Sequence, residues 1–192
     1  MWWARLLNNL ISLYSGAGAA ATSYESIATV TVGAGGSSTI TFSSIPSTYK
    51  HLQIRMFSRG SSTPGYGINF QFNSDTGSNY NAHFLEGNGT SVSSGVTGTG
   101  AQIQVYAQPR SDTTASVFGA FIIDILDYAN TNKYKTLRHF GGFDQNNTAG
   151  NYIDFDSGLW MSTSAINRID ITTPATGFAQ YSNIALYGIK GA

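Results

Sequence analysis

From Ser23 to the C terminus apolar side chains recur at every second position, and this period restricts the chain to strands. Ile27 to Val32 (IATVTV) and Thr39 to Phe42 (TITF) alternate apolar residues with threonine. The GAGGSS between them is turn chemistry, so the two runs read as a hairpin. In Lys50 to Phe57 (KHLQIRMF), Leu52, Ile54 and Met56 share one face. His51, Gln53 and Arg55 share the other, which is expected to be wet or to form an interface. Ile68, Phe70 and Phe72 repeat the pattern against Asn69, Gln71 and Asn73, and Gln102 to Tyr106 gives another short strand. Val117 to Leu126 (VFGAFIIDIL) is almost continuously apolar, as expected of a strand covered on both faces. Further strands are expected at Lys135 to Phe143, Tyr152 to Met161, Ile166 to Thr172 and Asn183 to Ile189. No helical period follows residue 15, a single turn at Asn81 to Leu85 aside, and no fixed repeat marks a solenoid. The expected fold is all-β: an antiparallel β-sandwich, jelly-roll-like, over residues 23–192.

Composition narrows the chemistry. Lys+Arg and Asp+Glu balance at ten each in 192 residues, and the cations are scattered. A nucleic-acid groove needs clustered cations, so nucleic acid is not an expected partner. The lack of cysteine removes disulfides, thiolate catalysis and zinc–sulfur sites together. His51, His83 and His139 lie far apart in sequence and leave little for a metal cluster, so neither metal nor cofactor is expected.

The first fifteen residues, MWWARLLNNLISLYS, have a different period. Trp3, Leu6, Leu10 and Leu13 are spaced 3, 4 and 3, the seam of two heptads, and Trp2, Leu7 and Tyr14 widen it. This predicts a short N-terminal amphipathic helix. Arg5, the apolar stretch and the small residues near Ala19 to Ala21 mimic a secretory signal, but Asn8 and Asn9 interrupt the apolar run. A membrane span needs about 20 apolar residues, more than are present. A lone helix of about 12–15 residues is marginal in water, so the segment is expected to dock. Its partner is a set of its own copies, another protein, or the base of its own sandwich. Residues 1–22 thus read as an anchor or oligomerisation segment, with Gly16 to Thr22 as hinge.

Few polar groups suggest chemistry. Asp154 and Asp156 in YIDFDS point to one face of a strand, and paired carboxylates could serve Ca²⁺ or acid–base work. Alone they supply too few oxygens, and acids at a strand edge commonly serve solubility. Asn73 to Tyr80 (NSDTGSNY) resembles half a calcium loop without its closing glutamate and is explained by a turn. Asp124 and Asp127 flank an apolar strand, where turn backbone, Lys133 or Lys135 are candidate partners. Asn88-Gly-Thr and Asn146-Asn-Thr fit a glycosylation sequon, relevant only to a eukaryotic secreted protein. No catalytic residues are assigned. Tyr66 in STPGYG, Tyr80 after a turn and Trp160 in SGLWMS are candidates for surface binding of sugar or protein. For Trp160 the favoured reading is a core anchor or subunit contact rather than a binding surface.

The run SYESIATVTVGAGGSSTITFSSIPSTYKHLQIR resembles the start of a family of small all-β virion proteins of tailed bacteriophages, particularly phages of aquatic bacteria and cyanobacteria. FIIDILDYANTNKYKTLR, SGLWMSTSAINRIDIT and FAQYSNIALYGIK are similar to the same family in the same order. The resemblance implies a non-enzymatic structural protein on the outer surface of the virion, trimeric, and either a tail-fibre or receptor-binding module or a head decoration (cement) protein. Its implied partners are copies of itself, a tail, baseplate or major capsid protein, and a host surface glycan. A carbohydrate-active enzyme is the remote alternative, with Asp154 and Asp156 as its only carboxylate pair of note.

Overall fold

Twelve strands form two antiparallel sheets in the computed structural model, which describes residues 23–63, 66–146, 150–174 and 177–191. The predicted leader helix, with Trp2, Trp3, Leu6, Leu7, Leu10, Leu13 and Tyr14, lies outside the described residues. In chain order the strands are β1 (Tyr24–Thr31), β2 (Thr39–Phe42), β3 (His51–Ser58), β4 (Ile68–Phe72), β5 (Tyr80–Gly87) and β6 (Val92–Val96), followed by β7 (Ile103–Val105), β8 (Gly119–Leu126), β9 (Lys135–Phe143), β10 (Tyr152–Trp160), β11 (Ile169–Thr172) and β12 (Asn183–Ile189). The large sheet has the order β1-β12-β3-β8-β9-β10-β5-β6 and the small one β2-β11-β4-β7. The architecture is a β-sandwich. Among the described residues no helix is long and apolar enough to cross a membrane.

Two local expectations are corrected. β1 and β2 do not form a hairpin: β1 pairs with β12 and β2 with β11, in different sheets. The connection between them, with Gly35 and Gly36 at positive φ, carries the chain across the edge of the sandwich. There Ser37 and Phe178 exchange two backbone hydrogen bonds, at 3.1 and 2.7 Å. Asn81 to Leu85 is no helical turn but the middle of β5, paired with β10 from Tyr80↔Trp160 to Gly87↔Ile153. Strand pairing along that whole length overrides a weak local pattern.

Between the sheets the alternation works as the period requires. Leu52, Ile54 and Met56 of β3 meet Ile123 and Ile125 of β8 and Leu137 of β9, all buried, and Ile40, Phe70, Ile103 and Ile171 close the core from the small sheet. One end is aromatic: Trp160 stacks on Tyr80 with centroids 6.0 Å apart, and Phe72 is tilted against both.

The outward faces differ. On the small sheet that face is polar and satisfied: Thr41 donates to Asp170, and Gln104 donates to Asn69. On the large sheet it is apolar. The nearly continuous apolar run of β8 does not mark a strand covered on both faces, as expected. Phe121, Ile123 and Ile125 face the core, whereas Ile122 and Leu126 face outward at 44% and 43% exposure.

Candidate functional site

Strand register lays the outer face of the large sheet out in rows. One row reads Ala185, Arg55, Ile122, Phe140, Phe155 and Leu85 across β12, β3, β8, β9, β10 and β5. The adjacent row reads Asn183, Phe57, Ala120, Gly142, Ile153 and Gly87 on the same strands. Small residues at its centre sink the surface between Phe57 and Ile153 and leave a groove of about 990 Å³. Gly142 has φ +155°, and a Cβ there would stand 2.1 Å from the Tyr152 carbonyl oxygen, so only glycine forms this floor. Phe57, Phe140, Phe155, Ile153 and Leu85 are each about half exposed. The next row, Tyr187, Gln53, Asp124, Arg138, Ser157 and His83, is polar and ends the patch. Gln53 donates to Asp124 at 2.8 Å, and Arg138 bonds Ser157. A contiguous apolar surface rimmed by paired polar groups is the pattern of an interaction face.

The second feature lies beneath this face, inside the sandwich. Asp154 and Asp156 are not edge acids serving solubility: β10 is an interior strand of its sheet, and its even positions point inward. Asp156 sits opposite His139 of β9, and Asp154 opposite Gly141. The three histidines, far apart in sequence, leave little for a metal cluster among themselves, but the β9–β10 register brings His139 against both carboxylates. All three side chains are sealed, at 0, 1 and 0% exposure for His139, Asp154 and Asp156. His139 Nδ1 lies 2.7 Å from Asp156 Oδ2, and the Tyr106 backbone N–H donates to Asp154 Oδ2 at 3.1 Å. His139 Nε2, Asp154 Oδ1 and Asp156 Oδ1 have no hydrogen-bond partner. Each such buried atom costs on the order of 1–3 kcal/mol.

Burial decides the charge state. Both carboxyls are pushed up to about 7, chiefly by desolvation, with the charge of Asp156 contributing to the rise at Asp154. Desolvation pushes the His139 imidazole down to about 4. The 2.7 Å contact is therefore a hydrogen bond near neutral pH rather than an ion pair. Glu86, opposite Asp154 on β5, is raised by its own burial and then by the charge of Asp154. Sealed from solvent, the three groups meet no external substrate in this conformation; they can hold protons or a cation.

The three aromatic candidates separate. Tyr80 and Trp160, at 0 and 2% exposure, are core residues and not surface contacts, because positions 80 and 160 pair on the inward face of β5 and β10. Tyr66 is half-buried, packed 4.8 Å from Tyr152 and covered by the Arg110 guanidinium at 4.1 Å. Asp75 in the NSDTGSNY loop spends its carboxylate on Gly77 N–H, the Asn79 amide and the Trp160 indole. Asp127 pairs with Lys133 as anticipated, and also with Lys50. Lys135 is buried instead among backbone carbonyls, among them those of Asn130 and Lys133.

No protein-family model matches this chain, and no curated protein does. A protein of unknown function from Shewanella oneidensis MR-1, known from a crystal structure, is similar at 10% identity with a TM-score of 0.24; the match covers 78% of this chain and 62% of that protein's length.

Proposed function

We propose that this is a non-enzymatic structural protein of a tailed-phage particle, a trimeric tail-fibre or adhesin module that assembles through the outer face of its large sheet. The observation that carries the reading is the groove flanked by Phe57, Ile122, Phe140 and Ile153. A sandwich with one polar and one apolar outer face is built to bind something on the second. The strand order also fits a jelly roll: β2-β11-β4-β7 faces β3, β10, β5 and β6, with β8 and β9 inserted before β10, and jelly rolls are common in viral shells.

The occupant is the apolar leader of a neighbouring copy. Fully burying a half-exposed Phe, Ile or Leu is worth about 1 kcal/mol, so the six such side chains of this face supply roughly 6 kcal/mol. Association alone costs about 4–15 kcal/mol, so one face against another is marginal. A leader carrying Trp2, Trp3, Leu6 and Leu10 adds the missing apolar area. The N-terminal strand adjoins this face: Tyr24, the first residue of β1, packs under Arg55, which also stacks on Tyr187 at the groove end. If each copy hands its leader to the next, three copies close a ring with no unmatched surface.

Light scattering of the full chain tests this. The expected mass is that of a trimer, reduced to a monomer by Phe140→Asp with far-UV circular dichroism unchanged; a monomeric wild type at tens of micromolar ends the proposal. Gold labelling of intact particles then separates the locations. Label at the tail supports the fibre module, whose glycan contact would fall to Tyr66 and the loops beside it, and label over the head replaces it with a cement protein.

A further inference from the structure

We infer that His139, Asp154 and Asp156 together hold one divalent transition-metal ion, Zn²⁺ by their donor set, between the two sheets. The site goes beyond the assembly role and does not depend on it.

The geometry supplies three of the four donors that a tetrahedral Zn²⁺ takes, the fourth falling to a second carboxylate oxygen or a water. One ligating atom from each of the three side chains lies within 4.8 Å of the others. Zn²⁺ binds imidazole nitrogen and carboxylate oxygen at about 2.0–2.2 Å, so small side-chain rotations close the three donors on one ion. Within the cluster His139 Nδ1 faces Asp156 Oδ2, and Asp154 Oδ2 is oriented by the Tyr106 N–H. His139 Nε2, Asp154 Oδ1 and Asp156 Oδ1 have no donor of their own, and the two carboxyls hydrogen-bond each other when one of them holds a proton. The ring nitrogen that already faces Asp156, Nδ1, is the one placed to give its lone pair to an ion shared with that carboxylate, the ion taking the position of the shared proton.

Neighbouring residues keep the space specific. The Phe121 ring stacks on the imidazole, with centroids 5.6 Å apart. A side chain at Gly141 would meet Phe121 at 2.2 Å and His139 Nε2 at 3.0 Å, so glycine there is what allows the imidazole its place. One nitrogen with two carboxylates selects a borderline cation over Ca²⁺, which takes 6–8 oxygens. Total burial makes the ion structural: it ties β9 to β10 in a chain that has no cysteine for a disulfide.

The test uses the full chain, stripped with a chelator and titrated with Zn²⁺, Mg²⁺ and Ca²⁺ separately. Elemental analysis after dialysis should return one zinc per chain, and the melting midpoint should rise with Zn²⁺ concentration but not with Mg²⁺ or Ca²⁺. Asp154→Asn removes a direct ligand and should weaken Zn²⁺ binding by more than the roughly 10–100-fold typical of an outer-shell partner. Removing the other imidazoles by His51→Gln and His83→Ala should leave the affinity unchanged. A wild type that retains no zinc and melts at the same temperature with or without it overturns the inference. So does a zinc effect that survives His139→Gln and vanishes with the His51 and His83 changes. If His139→Gln fails to fold, the wild-type stoichiometry and cation series still decide.

Discussion

The indole N–H of Trp160 donates to Asp75 Oδ2 at 2.8 Å, joining the end of β10 to a turn 85 residues earlier. The same carboxylate accepts from Gly77 N–H and the Asn79 amide, and Tyr80, stacked on Trp160, donates its hydroxyl to the Asp75 carbonyl. One acid therefore sets both the turn and the aromatic end of the core. Asp75→Ala leaves the buried indole donor unpaired and should cost about 1–3 kcal/mol. A urea unfolding midpoint indistinguishable from wild type would show the turn to be independent of the core.

Arg59 does a comparable job at the opposite rim. Its guanidinium donates to the carbonyls of Ser111, Thr113, Thr114 and Val117 and so fixes the loop between β7 and β8. The planar fork spreads these four bonds over two nitrogens, a geometry that the single nitrogen of a lysine ammonium does not reproduce. Arg59→Lys should therefore destabilise the protein by about 2–3 kcal/mol and make residues 110–118 the first site of limited proteolysis. Cleavage elsewhere first, at unchanged stability, would count against this role.

Acid should weaken the β8–β9 turn. Hydrogen bonds from Lys133 and Lys50 hold the Asp127 carboxyl down at about 2, below its ordinary 3.8. A carboxylate depressed in the folded state contributes stability that is full above about pH 4 and is lost as pH falls through the folded value near 2. Asp127 has φ 49°, which asparagine tolerates, so Asp127→Asn isolates the charge. The gap between wild-type and Asp127→Asn unfolding midpoints should be present at pH 6 and close by pH 2. It should also shrink in 1 M salt, because both lysines are largely exposed. A pH-independent gap would mean that the lysine pairs contribute nothing.

Much of the sandwich is legible in the sequence because one strong signal, alternation, is what most of its strands carry. β5 and β6 escape it: YNAHFLEG does not alternate cleanly, and VSSGV is a largely exposed edge strand with little apolar content. The large-sheet face is legible only in retrospect. In FIIDIL both parities are apolar, which signals either a covered strand or an uncovered apolar face, and only the arrangement of layers decides between them. The His139 cluster has still less of a signature. Asp154 and Asp156 are visible as a pair, but their partner lies on another strand, and nothing short of the β9–β10 register brings it opposite. Tyr80 shows the converse error, since a turn-adjacent aromatic looks exposed until its pairing turns it inward, whereas the core-anchor reading of Trp160 holds.

Ile122 and Ile123, adjacent in the chain and of identical chemistry, make the sharpest contrast between core and face. Ile123 is fully buried opposite His139, whereas Ile122 is 44% exposed opposite Phe140. Ile123→Ala opens a cavity in the core and should cost about 2–5 kcal/mol. Ile122→Ala removes apolar area still in contact with water, so its cost to the isolated fold should stay below about 1 kcal/mol. On the assembly reading, the order reverses when oligomeric state is measured: Ile122→Ala weakens the oligomer by its own lost burial, and Ile123→Ala acts only through the loss of folded protein. Sedimentation at several concentrations, beside urea unfolding of the same two variants, reads both quantities. Equal effects of the two substitutions on assembly would remove the large-sheet face from the interface.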